Sequence, residues 1–182
     1  VLMGYFNTIH AYGTARFARD VAAAGVDGLI AVDLPIEEDE VLRVPAAAQD
    51  VDLIRFVTPT TDAARLARIV EAASGYLYYD TVAGVTGTKS FDEAEVAAAL
   101  AKVRAATKLP VAVGFGIKTP GQAATIAALA DGVVVGSALV SKVAETAGQP
   151  PQAVVKAITE LAAALAQAVR VARPAKVGSG FA

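Results

Sequence analysis

Two glycine turns in the second half of the chain have residue types and a spacing that suit phosphate binding. Residues 114–117 read Gly-Phe-Gly-Ile and residues 136–138 read Gly-Ser-Ala, and each turn follows a short apolar run. A single Gly-x-Gly turn is a weak signal, because glycine ends many strands. Two such turns at the ends of consecutive parallel strands can direct backbone N–H groups at one anion. The pair therefore predicts a phosphorylated ligand.

Other residues whose side chains could take part in catalysis or ligand binding also lie in or near the apolar runs. Asp33 closes one run, where it is either a general base or the cap of a helix that begins near Glu37. Tyr78 lies inside the run 76–79. It should point to the inner face of the sheet if Leu77 and Tyr79 point outward, with its hydroxyl near the ligand. His10 lies in a polar stretch and is expected to be a surface or loop residue, not an acid or base.

The longest connection, residues 80–90, contains the small residues Ala83, Gly84 and Gly87 on either side of Thr86. A long connection with hinge-like positions beside a ligand site predicts a lid that excludes water. The alternative is an ordinary surface loop.

The elements that must position these residues alternate regularly. Apolar runs begin near Leu2, Gly28, Leu53, Tyr76, Val111 and Gly132, and alanine-rich helical segments separate them. This alternation indicates six βα units on a parallel sheet. An open doubly wound sheet is one solution, but the paired phosphate turns favour a (β/α)8 TIM barrel. Six units would be its third to eighth strands, with two strands expected before Val1. We predict one partial barrel domain over residues 1–174 and a frayed tail over 175–182.

Composition narrows the functional classes. The chain has 182 residues, 55% of them hydrophobic, and a formal charge of −2, so we expect no nucleic-acid partner. With no Cys and one His, neither a thiolate nor a multi-histidine metal site is expected. No apolar run approaches the roughly 18 residues of a membrane span, so we expect no membrane association and a cytoplasmic location.

Six segments together resemble the tryptophan synthase alpha chain, from Leu2 to about Arg173. They are residues 28–38 (GLIAVDLPIEE), 58–60 (TPT), 75–79 (GYLYY), 83–87 (AGVTG), 114–117 (GFGI) and 136–138 (GSA). The resemblance implies retro-aldol cleavage of indole-3-glycerol phosphate to indole and glyceraldehyde 3-phosphate in tryptophan biosynthesis. It also implies an alpha2-beta2 assembly with a beta chain that carries pyridoxal phosphate, and no cofactor in this chain.

The resemblance also implies roles for individual residues. The substrate phosphate would be bound by backbone N–H groups of Gly116, Gly136 and Ser137, and by Gly87 when the lid closes. Thr86 would hold the catalytic aspartate in place. The walls of the indole-glycerol pocket would be Tyr5, Tyr78 and Phe115, with Val32 and Val57 as smaller walls. Asn7 and Pro35 would lie on the beta-chain face.

One functional segment of the family has no counterpart among the 182 residues. The family takes its catalytic carboxylates from a strand-end Glu and a Ser-Asp-Pro-x-x-Asp-Gly-Pro segment, and neither occurs here. We therefore expect this chain alone to be inactive. Two alternatives stay open: a non-catalytic barrel fragment that binds a partner chain or a phosphate ligand, and another phosphosugar isomerase or epimerase. The pair Asp80-Thr81 also departs from the family, where an apolar residue and a serine are expected.

Overall fold

The computed structural model describes residues 1–81, 92–114 and 116–173. The described residues form two compact units. The first comprises Val1–Tyr79 with Ala101–Val111, and the second comprises Asp80–Leu100 with Ala112–Ala182. The predicted tail and most of the predicted lid lie outside the described residues.

Strands and helices alternate along the described chain. The strands are β1 (Leu2–Gly4), β2 (Gly28–Ala31), β3 (Asp52–Leu53), β4 (Arg55–Val57), β5 (Leu77–Asp80), β6 (Val111–Gly114) and β7 (Gly132–Val133). The helices are α1 (Phe6–Tyr12), α2 (Thr14–Ala23), α3 (Glu40–Ala47), α4 (Ala63–Ala72), α5 (Glu93–Ala106), α6 (Pro120–Leu129), α7 (Ser137–Glu145) and α8 (Pro151–Ala172). Each of the six predicted apolar runs contains a strand, which confirms the predicted order of elements.

The strands of the first unit pair in parallel, as their unbroken apolar runs predict. β1 pairs with β2 and β2 pairs with β3, while β4 pairs with β5. β3 and β4 belong to a single predicted run that is divided at Ile54. The N–H of Ile54 still donates to the carbonyl of Leu29 at 2.9 Å, so the chain continues extended while it exchanges one partner strand for another.

Helices cover one face of the first sheet. Leu29 and Ala31 of β2 pack with Val21 of α2 and Leu42 of α3 in a buried cluster. These strand residues alternate with Ile30, which points to the opposite face. The first unit therefore has a helix-covered face and an inner face, and this division decides which strand residues can meet a ligand.

Helix ends follow local sequence rules in most places. Thr119 caps α6 with a complete capping box, as its Thr-Pro sequence predicts. α2 ends before Gly25, which has a φ of +78°. The N-cap of α4 is Asp62 and not its neighbour Thr61: the carboxylate of Asp62 accepts the N–H of Arg65 at 2.8 Å. The Thr61 hydroxyl instead accepts the N–H of Thr58, which closes the turn before the helix.

In the second unit, α8 packs chiefly against α6 and also contacts α7. Leu165 of α8 is buried, whereas Val155, one turn from the start of the helix, is 62% exposed. At the other end, Arg173 donates to the carbonyl and carboxylate of Asp131.

Candidate functional site

The two glycine turns follow adjacent parallel strands in the second unit. β6 and β7 pair with Ala112 opposite Gly132 and Val113 opposite Val133. The N–H of Val134 then donates to the carbonyl of Val113 at 2.8 Å. Because parallel strands end at the same edge of a sheet, both turns begin at one edge of this unit.

The second turn leads directly into a helix, as predicted. Gly136 is the N-cap of α7, and its carbonyl accepts the N–H groups of Leu139 and Val140. The first N–H groups of an α-helix have no partner within the helix, and the helix dipole is positive there. The start of α7, which includes Ser137, therefore presents donors suited to an anion.

Both turns leave open space beside the backbone. A Cβ built at Gly116 or at Gly136 would meet no atom of the described residues within 4 Å, its chain neighbours aside. Gly116 has a φ of +77°, which only glycine adopts without strain, whereas Gly136 has a φ of −118° that any residue tolerates. At Gly116 the backbone conformation itself requires glycine. At Gly136 no described residue and no backbone strain requires glycine.

The start of the predicted lid is tied to the first glycine turn. The Thr81 hydroxyl donates to the carbonyl of Gly114 at 3.2 Å, and the Thr81 N–H donates to the same carbonyl at 3.4 Å. The departure from the expected serine at this position therefore retains a hydroxyl that bonds β6. Thr86, Gly87 and Phe115 lie outside the described residues.

Two predicted pocket residues share the inner face of the first sheet. Gly4 pairs with Ala31, and the N–H of Val32 donates to the carbonyl of Gly4 at 3.0 Å. Tyr5 and Val32 continue the two strands by one residue each, so they fall on the same side. Both are accessible, with Tyr5 63% exposed and Val32 40% exposed.

Val57 and Tyr78 do not share a face. In the β4–β5 pair Phe56 lies opposite Tyr78, whereas Val57 lies opposite Tyr79. The rings of Phe56 and Tyr78 are in contact, with centroids 4.9 Å apart. Val57 therefore shares its face with Leu77 and Tyr79, and Phe56, which our sequence reasoning did not name, shares its face with Tyr78. Because side chains alternate between the two faces of a strand, the register of β4 against β5 is enough to identify Phe56 as the neighbour of Tyr78.

A buried charge cluster in the first unit was also missed. Asp39, at the N-cap of α3, pairs with Arg55 of β4, and its other oxygen accepts from Nε of Arg43 at 3.2 Å. The side chains of Asp39 and Arg55 are only 2% and 7% exposed. Burial lowers the pKa of Arg55, and the charge of Asp39 opposes that shift. The available signal was an arginine inside the apolar run 53–57.

Of the two roles left open for Asp33, the cap of the helix near Glu37 is wrong, and the general base stays a prediction. The helix near Glu37 begins at Glu40 with Asp39 at its N-cap, so Asp33 does not cap it. Its Oδ1 instead accepts the N–H of Phe6, the first residue of α1, at 2.6 Å. His10 lies on α1 in contact with the Phe6 ring, and it is exposed at the surface, as expected.

Further properties of the described residues bear on the expected partners. Asn7 and Pro35 are both exposed. No cluster of three or more metal-ligating side chains occurs in the part of the chain that the structure describes. Among residues 1–81, 92–114 and 116–173, no helix combines the length and apolar character that a bilayer crossing requires.

Parallel βα units with two phosphate-type turns at neighbouring strand ends define an α/β protein of the (β/α) barrel class. Comparison with known proteins specifies the family. The family profile described as tryptophan synthase alpha chain matches residues 1–170, and the chain belongs to this family.

Solved structures agree with this assignment. The chain is 38% identical to tryptophan synthase subunit alpha from Legionella pneumophila, with a TM-score of 0.82 over 93% of this chain and 62% of that chain. It has the same identity, TM-score and coverage with a tryptophan synthase chain from Mycobacterium tuberculosis. The alpha subunit from Campylobacter jejuni is 32% identical, with a TM-score of 0.76 over 87% of this chain and 63% of that chain.

The chain thus spans less than two thirds of the length of these relatives. Family membership confirms the predicted fold class. It also agrees with the expectation that pyridoxal phosphate belongs to the beta chain of the synthase.

Proposed function

We propose that this chain supplies the phosphate-binding turns and part of the indole pocket of an alpha chain that cleaves indole-3-glycerol phosphate. The products would be indole and glyceraldehyde 3-phosphate. The observation that carries the proposal is the pair of open turns after β6 and β7, with α7 starting at the second. The partner would be a beta chain in an alpha2-beta2 assembly, and the location would be the cytoplasm.

The phosphate part of the proposal rests on the second unit. Gly116, Gly136 and Ser137 would donate backbone N–H groups to the phosphate oxygens. Main-chain donors at a helix start need no side-chain charge to bind an anion, because the helix dipole adds to their hydrogen bonds. Gly87 would add a donor from the loop that precedes α5.

The indole part of the proposal rests on the first unit. Tyr5 and Val32 are accessible on one inner face, and Phe56 and Tyr78 form an aromatic pair on another strand pair. Flat aromatic walls suit an indole ring, which gains from both burial and ring contact. We propose Phe56 in place of Val57 as a wall, together with Phe115.

Proton transfer is the part of the reaction that these 182 residues are not equipped to perform. Cleavage requires an acid that protonates the indole ring carbon and bases for the indole N–H and the departing hydroxyl. The family's Glu and Ser-Asp-Pro-x-x-Asp-Gly-Pro segment is not present in the sequence. We therefore propose that the chain alone binds ligand without releasing indole, and that Thr86 supports the catalytic aspartate only in a chain that contains it.

Calorimetric titration with glycerol 3-phosphate tests the phosphate part. We expect saturable binding, and Gly116→Val should weaken it by about tenfold or more because it strains the turn and crowds the donors. Gly136→Ala disturbs the fold less than Gly116→Val, because the φ of Gly136 accepts alanine. The added methyl group would occupy only the open space beside the turn. Thr159→Ala, an exposed substitution on α8, is the matched control. Equal affinity in all four proteins would refute the proposal.

Indole titration tests the wall assignment. The chain has no tryptophan, so the fluorescence of added indole can be followed directly. Phe56→Ala should weaken indole binding more than Val57→Ala, although Val57 is the more buried residue. A larger loss of indole affinity in Val57→Ala than in Phe56→Ala would support Val57, and not Phe56, as the pocket wall.

The isomerase or epimerase alternative predicts a different ligand preference. Such a protein would bind a linear sugar phosphate and gain nothing from an indole group. Binding of indole in competition with indole-3-glycerol phosphate would favour the lyase pocket, and binding of sugar phosphates alone would favour the alternative.

A further inference from the structure

The N-cap of α1 is an unusual residue for its position. N-caps are normally Ser, Thr, Asp or Asn, whose short side chains accept a backbone N–H. Here the N-cap is Tyr5, which makes no side-chain capping bond. Its side chain is 63% exposed on the inner face of the first sheet. The residue at the N-cap position of α1 therefore does not supply the capping hydrogen bond.

Asp33 supplies the missing acceptor from the neighbouring strand. Asp33 follows β2 and lies 27 residues after Phe6 in the sequence. Its Oδ1 accepts the N–H of Phe6 at 2.6 Å. A carboxylate at a helix start is stabilised both by the hydrogen bond and by the helix dipole. Asp33 thereby does for α1 what the side chain of Tyr5 does not.

The backbone of Tyr5 is held on both sides of this contact. Before it, the carbonyl of Gly4 accepts the N–H of Val32 at 3.0 Å. After it, the hydroxyl of Thr8 donates to the carbonyl of Tyr5 at 2.8 Å. With the N–H of Phe6 bound to Asp33, three hydrogen bonds hold the backbone around Tyr5, and two of them are to Val32 and Asp33, directly after β2.

We propose that Asp33 is a positioning residue that caps α1 in place of Tyr5 and thereby orients the Tyr5 ring toward the indole group of the ligand. The inference rests on the proposed function, because it assigns the Tyr5 ring to the indole pocket. It makes Asp33 a determinant of selectivity for the aromatic part of the ligand. It assigns no proton transfer to Asp33, since its carboxylate is engaged with a main-chain donor.

The test compares two ligands in one set of variants. Asp33→Ala should weaken indole binding by about tenfold, the loss typical of one hydrogen bond to a charged group, while glycerol 3-phosphate binding changes by less than about twofold. Asp33→Asn retains an acceptor at the same atom and should recover most of the indole affinity. A purely structural role would weaken both ligands alike.

A double-mutant cycle tests whether the effect passes through Tyr5. Tyr5→Ala should weaken indole binding about as much as Asp33→Ala does, and the combined variant should lose little more. Additive losses would show that Asp33 acts independently of Tyr5 and would overturn the inference.

A second pair of variants tests the N–H donor of Phe6 while the Asp33 carboxylate is retained. Phe6→Pro abolishes the N–H at the first helical position, where proline is well tolerated, and Phe6→Ala removes the same ring but keeps the N–H. Indole binding should be weaker in Phe6→Pro than in Phe6→Ala. This pair decides the question if Asp33→Ala does not fold.

The outcomes separate the inference from the proposed function. If the unaltered chain binds neither indole nor glycerol 3-phosphate, the proposed function fails and the inference fails with it. If the unaltered chain binds both ligands and Asp33→Ala binds indole with the same affinity, only the inference fails.

Discussion

Removal of the Asp39 carboxylate is expected to destabilise the first unit more than any surface substitution. Asp39 is the only anion paired with Arg55 among the described residues, and the two side chains are 2% and 7% exposed. Asp39→Ala would leave the Arg55 guanidinium buried without a counter-charge. Arg43 would lose the same partner, but its side chain is 33% exposed and can turn to water.

The expected magnitude follows from this difference in exposure. Breaking a buried ion pair by removing one partner typically costs about 3–5 kcal/mol. Arg55 has a flexible stem that allows partial escape toward water, so we expect the lower end, about 3 kcal/mol. The loss at Arg43 adds little, because exposed pairs contribute at most about 1 kcal/mol. The sum is a large fraction of the roughly 5–15 kcal/mol that stabilises a typical domain.

Urea unfolding followed by circular dichroism measures the effect. The series is Asp39→Ala, Arg55→Met and the combined variant, with Lys156→Ala as a control in an ion pair whose side chains are 76% and 68% exposed. The combined variant should lose less free energy of unfolding than the sum of the single variants, because it removes both charges. Equal midpoints for Asp39→Ala and Lys156→Ala, or strict additivity in the series, would refute the reasoning.

Three other expectations concern a helix cap, a phenol and the predicted lid. Thr119→Ala should lower the free energy of unfolding by about 1 kcal/mol in urea titrations, and Gln122→Ala by less, because it removes only the reciprocal half of the capping box. The pKa of Tyr12 is raised because its hydroxyl donates to Asp20, so the stability from this bond is complete below the ordinary tyrosine pKa and is lost as the pH rises through the raised value. Ultraviolet titration of tyrosinate should show one fewer late-titrating phenol in Tyr12→Phe. In a complete alpha chain, Thr86→Val should depress kcat far more than it raises KM, and unchanged turnover would remove Thr86 from the mechanism.

Much of the fold could be predicted because its signals are local. The apolar run at residues 28–32 predicts a buried strand, and β2 is buried throughout. The Thr119-Pro120 pair predicts the start of α6, and the Gly-Ser sequence at residues 136–137 predicts the start of α7. In each case the residues that specify the structure are within a few positions of the structure they specify.

The wall of the pocket could not be predicted in the same way. Residues 53–57 and 76–79 are both apolar without alternation, so neither run shows which side chains face inward. The choice between Phe56 and Val57 depends on the register of β4 against β5, which places Phe56 opposite Tyr78. A shift of one residue would exchange the two faces, and nothing local to either strand excludes that shift.

The two unpredicted carboxylate contacts have a common origin. Asp33 and Asp39 are six positions apart after β2, and only Asp33 was considered as a cap of the helix that follows. Local rules predict a helix start in such an acidic stretch, and α3 does begin there. However, Asp33 bonds a residue 27 positions earlier, and Asp39 bonds Arg55 on a later strand. The connection after β2 therefore bonds α1 through Asp33 and β4 through Asp39. This makes it the segment of the first unit where charge substitutions should alter stability, at Asp39, and the direction of a pocket side chain, at Asp33.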